Sequence, residues 1–258
     1  MDKKTFLDVF KDHDKNYISS LYEDINLCRI IDGHIYTKEF ITPDIYINLK
    51  KQESRIGVSI NGNGVFTNSE RKMLCFSMGA EIPKSYGIDM IQITNKSKFK
   101  DLAHKDFLGA IMSLGIKRSL FGDLVVKEDS CFVPISESVS QYIIENLTTI
   151  GNCPCTIKQI DTDSDIIPDV SFEDKSIIAT SLRLDNIIPS ICNISRAKGT
   201  ILITSGAVLL NYLQCDVKDK LIEINDTITI RGFGKYKLHM ITGETGKGRV
   251  KLLIGKYI

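Results

Sequence analysis

The sequence feature that most constrains the fold is a pair of short helical patterns between residues 181 and 206. Apolar residues recur at three- and four-residue steps in the first pattern, namely Leu184, Ile187, Ile188 and Ile191, so they share one face of a helix. Ser195 suits the N-cap of a second helix over residues 196–204, and Gly206 can end that helix in the left-handed conformation. This segment therefore predicts two short helices joined by a tight turn.

Strand patterns follow these helices directly. Residues 208–210 are apolar, and Ile224 leads into an alternating run over residues 227–230. Two short helices alone bury too little apolar surface to be stable, so they need a sheet to pack against. We predict a helix–turn–helix–strand domain over residues 177–258.

The charge of the chain is polarised towards this domain, although the formal net charge is only +1. Residues 181–258 hold 12 Lys and Arg against 6 Asp and Glu, a net of +6, whereas residues 1–180 hold 21 against 26, a net of −5. Because phosphate affinity depends on local potential, this distribution favours a polyanion-binding end. Charge alone leaves open a chance fluctuation on a solvated surface.

Several basic residues of the domain are candidate RNA contacts. Arg196 and Lys198 lie at a predicted helix start, where backbone N–H groups and the helix dipole favour an anion. Arg183 serves equally well as an ion-pair partner of Asp185, and for Phe233 and Tyr236 burial is favoured over base stacking. The candidate contacts here are Arg183, Ser195, Arg196, Lys198, Arg231, Lys235 and Lys237.

The preceding residues predict two further regions, which makes the fold class α+β. Residues 1–69 are mostly helical in pattern. One helix is predicted over residues 18–28, and a second has Thr42 as its N-cap, starts at Pro43 and runs through residues 45–49; a strand over residues 56–60 and a turn at 61–64 follow. Residues 70–165 alternate strand and helix patterns, which is typical of a small α/β sandwich with one sheet face under two helices. The predicted helices there cover residues 104–114 and 137–147, and the predicted strands cover residues 73–76, 88–93, 125–126, 131–135 and 155–160.

The C-terminal domain resembles the S4-type RNA-binding domain, whose fold is called αL-like. The resemblance is carried by Arg183-Leu184-Asp185, by Ser195-Arg196 with Lys198, by Gly206, Val208 and Asn211, and by Asn225-Asp226 where the family usually has Gly-Asp. Two positions depart from the family pattern. Tyr212 and Asn225 stand where glycine is usual, and only Asn readily tolerates a positive φ.

Over essentially the full chain, the sequence is similar to the YlmH family of bacterial S4-domain proteins. The similarity is carried by FTNSERK at residues 66–72, by HKDFLGAIMSLGIKRSLFGDLVV at residues 104–126 and by RGFGKYKL at residues 231–238. It implies binding to rRNA and tRNA on the large ribosomal subunit in ribosome-associated quality control. Family members are associated with stabilising peptidyl-tRNA on obstructed subunits while a tailing factor extends the stalled chain. Their middle segment is regarded as a second RNA-binding unit. In this chain we expect that unit to have an RRM-like or ferredoxin-like fold.

In that middle region Lys105, Lys117 and Arg118 are candidate phosphate contacts, because they flank a helix whose apolar residues can face a core. A merely solvated surface explains them equally well. Asp106 and Asp123 suit capping or pairing, and neither is predicted to be catalytic.

The main alternatives are an RNA-modifying enzyme and an adaptor protein. Pseudouridine synthases with S4-type domains use an Asp in an Arg-Leu-Asp sequence, but Asp185 lies inside the predicted binding module and is followed by NIIPS. An adaptor linked to cell division remains open. We therefore predict a non-enzyme without catalytic residues.

No cofactor or metal is predicted either. The acidic run at Asp161, Asp163 and Asp165 has Ile166 where a calcium loop needs glycine, and the seven cysteines have no zinc-site spacing. The odd number of scattered cysteines, together with the absence of a signal-like or membrane-spanning apolar run, predicts a cytoplasmic protein. We also expect a monomer.

Overall fold

The computed structural model describes residues 1–79 and 85–257. The chain divides into two compact units, Met1–Val170 and Ser171–Ile258. Over the described residues, helices combine with three antiparallel sheets, as the α+β class requires. The predicted boundary between residues 69 and 70 lies within the first unit, and the three predicted domains stay predictions.

The first part of the first unit packs helices against a small sheet. Asp14 accepts a hydrogen bond of 2.8 Å from the backbone N–H of Tyr17 and so caps the longest helix. The predicted stripe of that helix is buried at Ile18, Leu21, Ile25 and Cys28. The elements are α1 (Lys3–Val9), α2 (Lys15–Ile31), β1 (His34–Tyr36), α3 (Pro43–Lys51), α4 (Glu53–Ile56), β2 (Ser59–Asn63) and β3 (Met73–Ser77).

The small sheet has the order β1-β3-β2, and it corrects two sequence predictions. The strand expected over residues 56–60 begins only at Ser59, because Glu53–Ile56 forms a helical turn that ends at Gly57 with φ of 74°. The turn expected at residues 61–64 was also wrong for its first three residues, which continue β2. Gly62 suits this strand because a Cβ there would lie 3.0 Å from the Leu74 side chain on β3.

The second part of the first unit is a five-stranded sheet with two helices on one face. The helices bury Phe107, Ile111 and Ile143 against Ile91 and Val133 of the two central strands, which explains the apolar periodicity of both helices. The sheet order is β5-β6-β4-β8-β7. The elements are β4 (Ile88–Asn95), α5 (His104–Ser113), a 3-10 turn (Arg118–Leu120), β5 (Val125–Lys127), β6 (Ser130–Ser136), α6 (Glu137–Asn146), β7 (Thr149–Ile150) and β8 (Cys153–Ile160).

The opposite face of this sheet is covered at one end. Side chains alternate along a strand, so Met90 and Phe132 point away from the two helices. They are buried together with Phe66 and Val125. Flanking side chains, namely Val65, Ile160, Ile167 and Val170, pack against this cluster.

The second unit has the predicted order of two helices and then strands. Its sheet has the order β11-β10-β12-β13-β14-β9, and β9, which precedes the helices, starts at Phe172, five residues before the predicted domain boundary at Ile177. Ile224 does not belong to the expected strand: it is half exposed and precedes a turn in which the Asn225 N–H donates to the Leu238 carbonyl. The elements are β9 (Phe172–Ala179), α7 (Leu184–Cys192), α8 (Arg196–Thr204), β10 (Val208–Leu210), β11 (Leu213–Gln214), β12 (Thr227–Ile230), β13 (Gly234–Glu244) and β14 (Val250–Tyr257).

Helices α7 and α8 meet at a buried glycine. A Cβ on Gly199 would lie 2.6 Å from Cγ and 2.9 Å from Cδ of Pro189. Because a packed interface resists added volume, Gly199→Ala should destabilise the second unit by about 1–3 kcal/mol. The measurement is hydrogen exchange of the amides in β12 and β13, which we expect to be faster in the variant than in the wild type.

Gly246→Ala is the matched control, because nothing lies within 4 Å of a Cβ at that position. It should leave the exchange rates unchanged within about twofold. Equal protection in Gly199→Ala and Gly246→Ala would refute the proposed close packing.

Candidate nucleic-acid interface

The start of α8 is organised by short local contacts. Ser195 Oγ accepts a hydrogen bond of 3.3 Å from the Lys198 backbone N–H, so the predicted N-cap is confirmed. The preceding helix α7 ends at Asn193 with φ of 54°, which turns the chain sharply into α8. Arg196 and Lys198 consequently lie in the exposed first turn of α8.

A buried carboxylate joins the starts of the two helices. Asp185 is 3% exposed. Its Oδ1 accepts a hydrogen bond of 3.1 Å from Nε of Arg183, and its Oδ2 accepts one of 3.3 Å from Nη2 of the same side chain. Its Oδ2 also accepts a hydrogen bond of 2.5 Å from Nη2 of Arg196. The Arg183 hydrogen bonds, followed by those from Arg196, hold the pKa of Asp185 below its usual value.

These ion pairs orient the two arginines without burying them. The side chains of Arg183 and Arg196 remain 38% and 62% exposed. The ion-pair interpretation of Arg183 is therefore confirmed, while both guanidinium groups keep donors that face solvent. Arg196 also forms an ion pair with the buried Asp185, and the sequence did not indicate this contact.

A loop far along the chain brings the backbone of two lysines to the start of α7. The backbone carbonyls of Lys218 and Lys220 accept hydrogen bonds of 2.9 Å from the N–H groups of Asp185 and Leu184. The lysine side chains are exposed. We call Arg183, Arg196, Lys198, Lys218 and Lys220 the arginine–lysine cluster.

Sequence reasoning missed Lys218 and Lys220. They lie in the run CDVKDK, where Asp216 and Asp219 cancel their charge, so no basic pattern is visible. A bridge between Arg183 and Leu221 brings the loop to α7, and only that long-range pairing reveals the cluster.

Lys235 and Lys237 lie on a different surface. Their neighbours Tyr236 and Leu238 are buried against the helices, so these lysines lie on the sheet face turned away from α7 and α8. Lys235 Nζ lies 4.7 Å from the ring centre of Tyr212 and 4.4 Å from that of Tyr257. Burial, followed by the charge of Lys237, lowers the pKa of Lys235 to about 7.

The turn residue Tyr212, at the position where the S4-type pattern usually has glycine, has a left-handed backbone conformation. Its φ is 72°, and that of Asn225 is 73°. A bulky residue is strained in this region. The contact between the Tyr212 ring and Lys235 offsets part of that strain.

The remaining candidates of this unit divide by exposure. Tyr236 is buried at 7% exposure and donates its hydroxyl hydrogen bond to the Phe233 carbonyl, as the favoured interpretation requires. Phe233 itself is 37% exposed, so its expected burial was wrong. The glycines on both sides place it in a turn between β12 and β13, beside the exposed Arg231.

In the first unit the three candidate cations do not share one environment. Lys105 and Lys117 are exposed. Arg118 donates hydrogen bonds of 2.6 and 2.9 Å to the carbonyls of Phe121 and Gly122 and lies over the Phe121 ring. Its side chain therefore stabilises the turn, and its role as a phosphate contact stays a prediction.

The two carboxylates of this region are structural. Asp106 Oδ2 accepts a bond of 2.8 Å from the Ala103 N–H at the start of α5. Asp123 accepts bonds of 2.6 and 3.2 Å from the backbone N–H groups of Glu70 and Arg71, and burial raises its pKa to about 6. Capping or pairing was the predicted role of both residues.

The described residues contain no group of three or more His, Cys, Asp or Glu side chains arranged to hold a metal ion. None of their helices combines the length and apolar character needed to cross a bilayer.

A comparison with known protein families finds a match within the first unit. Residues 83–164 match the family model described as "Putative RNA-binding domain in YlmH". The match covers β4 to β8 with both helices. This mixed α/β chain thus contains a segment that is similar to that domain.

Two relatives extend the comparison. The "Ribosome-associated protein quality control protein P2" of Bacillus subtilis (strain 168) is 26% identical over 246 residues, which cover 94% of this chain and 96% of that protein. The solved structure "Cell division protein ylmH from Streptococcus pneumoniae" matches with a TM-score of 0.50 and 25% identity, covering 60% of this chain and 94% of that one. Together with the family model, they confirm the resemblance to the YlmH family.

Proposed function

We propose that this protein binds RNA on the ribosome and catalyses no reaction itself. The observation that carries the proposal is the arginine–lysine cluster, in which a buried carboxylate binds two exposed guanidinium groups at the helix starts. The exposed Lys198 lies in the first turn of α8, and the backbone of the exposed Lys218 and Lys220 is bonded to the start of α7, where Asp219 of the same loop also acts on the charge of Arg183. Such a cluster fits the phosphates of a folded RNA, because arginine forks and lysine ammonium groups both pair with phosphate oxygens. In this proposal the cluster is the main binding surface of an S4-type domain over residues 177–258.

The topology of the first unit supports a second RNA-binding domain. Its strands and helices follow the order β4-α5-β5-β6-α6-β8, and the four strands pair in the order β5-β6-β4-β8. This is the split β-α-β arrangement of ferredoxin-like and RRM-like domains. In RRM domains, exposed aromatic residues of the sheet stack on RNA bases. Phe132 is buried under other side chains, which argues against base stacking on this sheet.

The relatives supply the biological setting of the proposal. Since one of them is named a ribosome-associated quality control protein, we propose that this chain contacts rRNA and tRNA of the large subunit. It would stabilise peptidyl-tRNA on obstructed subunits, in the cytoplasm, as a monomer working beside a tailing factor.

The geometry of Asp185 supports a binding role over catalysis. A pseudouridine synthase needs a reactive carboxylate that faces its substrate, whereas both Asp185 oxygens accept hydrogen bonds from arginines. A uridine modified in wild-type rRNA and unmodified only in a strain lacking the gene would overturn the non-enzyme proposal.

A second candidate function is that of an adaptor in cell division, which the name of the Streptococcus pneumoniae structure favours. Salt separates it from RNA binding. An adaptor that docks a protein partner should keep its ribosome-independent interaction at high salt, since few phosphate counterions are released.

For RNA binding we expect a steep salt dependence. If the protein neutralises about five phosphates, the logarithm of its affinity for large subunits falls against the logarithm of salt concentration with a slope of about −3.5 to −4.5. Co-sedimentation with large subunits over a potassium chloride series measures this slope. A slope near zero would contradict the proposal.

A further inference from the structure

The loop between β4 and α5 presents an aromatic ring to solvent among lysines. Its sequence is Lys96-Ser97-Lys98-Phe99-Lys100. Phe99 is 98% exposed, and the next most exposed large apolar residue of those described is Ile30 at 80%. Water solvates such a ring poorly, so its exposure needs a reason beyond the core.

The loop is nevertheless held in a defined conformation. Asn95 is 5% exposed, and its Nδ2 donates a bond of 2.8 Å to the Lys100 carbonyl while its Oδ1 accepts a bond of 2.9 Å from the Ser97 N–H. The Lys96 N–H donates a bond of 2.8 Å to the Pro154 carbonyl on β8. Both ends of the loop are therefore fixed to the sheet, and its tip projects Phe99.

The charge around Phe99 is positive. Lys96, Lys98 and Lys100 are exposed, and none of them pairs with a carboxylate among the described residues. On the C-terminal side, Lys105 is also exposed and Asp106 is engaged by the Ala103 N–H. The acids beside the loop are Asp101, which follows it, and the exposed Asp129, whose carbonyl accepts a bond of 2.8 Å from the Asn95 N–H. The three loop lysines outnumber these two acids, so the segment keeps a positive balance.

We propose that residues 96–100 form an RNA contact in which Phe99 stacks on an unpaired base and the lysines bind the flanking phosphates. An aromatic ring between cations is the combination that binds single-stranded nucleic acid, since every base has a stacking face and every linkage carries a negative charge. Because Phe132 is covered, the loop supplies the exposed aromatic that the adjacent sheet lacks. This inference rests on the proposed RNA-binding function and adds a site to it.

The test uses the full chain and fluorescein-labelled ten-nucleotide oligoadenylate, with affinity measured by fluorescence anisotropy. Phe99→Ala should weaken binding about tenfold, and Phe99→Tyr should bind as the wild type does, because the ring is what stacks. Lys98→Gln with Lys100→Gln should weaken binding and make its salt slope shallower by about 1–2. Ile30→Ala, which removes a similarly exposed apolar side chain, is the matched control and should bind normally.

A blunt-ended RNA duplex provides the second comparison. Its bases are stacked on one another, so Phe99→Ala should change duplex affinity by less than about twofold. All variants change exposed side chains, and circular dichroism melts should coincide with that of the wild type.

Unchanged oligoadenylate affinity in Phe99→Ala would overturn the loop proposal. The proposal would also be overturned if Phe99→Ala lost affinity only for an acidic peptide such as polyglutamate, because the loop would then bind a protein partner. These results differ from failure of the proposed function, in which the wild type binds neither oligoadenylate nor large subunits. Retained subunit binding with no effect of Phe99→Ala would leave the arginine–lysine cluster as the RNA site.

Discussion

The double substitution Lys198→Glu with Lys218→Glu is expected to lower the affinity for large ribosomal subunits by roughly 30- to 100-fold, ~2–3 kcal/mol. Both lysines are exposed members of the arginine–lysine cluster. Reversing their charge replaces two phosphate contacts by repulsion, so the salt slope should also become shallower by about 2. Co-sedimentation at several salt concentrations measures both quantities.

The choice of lysines follows from the contacts of Arg196. From sequence alone, Arg196→Glu with Lys198→Glu is expected to weaken RNA binding while leaving folding intact. The 2.5 Å contact with Asp185 changes that expectation for Arg196, because a glutamate there would place a second carboxylate beside a buried one. The lysine pair tests phosphate binding without disturbing this ion pair.

Lys247→Glu with Lys251→Glu is the matched control, since it changes the net charge equally at the exposed hairpin of β13 and β14. We expect it to lose less than about threefold in affinity. An equal loss in both double variants would show that net charge matters and that the cluster is not the site.

The second large effect is expected at the carboxylate itself. Asp185→Ala should destabilise the second unit by about 2 kcal/mol, because it removes the charged hydrogen bonds from Arg183 and Arg196 that join the two helix starts. Hydrogen exchange of the β12 and β13 amides reports on this unit. Asp216→Ala removes an exposed carboxylate of the same unit and should leave exchange unchanged.

Acid provides an independent measurement of the same contact. The Asp185 pKa is lowered in the folded protein, so its contribution is fully present above about pH 3.8 and is lost as the pH falls below that value. Wild type and Asp185→Asn should therefore converge in stability at low pH and differ at neutral pH. A constant difference across the pH range would contradict the assigned role of the carboxylate.

Local signals made the helices of the second unit predictable. Helix α8 spans the predicted residues 196–204 because Ser195 provides the cap and Gly206 accepts a φ of 71°. The Arg183–Asp185 ion pair was also predictable from sequence, since the two residues lie two positions apart, whereas the contact of Arg196 with Asp185 was not predicted. Such contacts depend on residues close in the chain, where spacing determines geometry.

Contacts between distant segments were not predictable in this way. Lys218 and Lys220 join the cluster through backbone hydrogen bonds to residues more than thirty positions earlier. Lys235 was expected to extend the same cationic face, yet strand alternation places it on the opposite side of the sheet from the buried Tyr236. Its contribution to RNA binding stays a prediction, as do those of Arg231 and Lys237.

The apolar cluster around Phe132 bears on how the protein can be dissected. A fragment trimmed to residues 83–164 would lack Phe66, Ile167 and Val170, leaving Met90 and Phe132 with part of their cover removed. Such an exposed apolar patch promotes self-association, and aggregated protein is retained nonspecifically in pull-down assays. Truncation experiments on the first unit are therefore best made at Val170, with the amino-terminal helices kept in place.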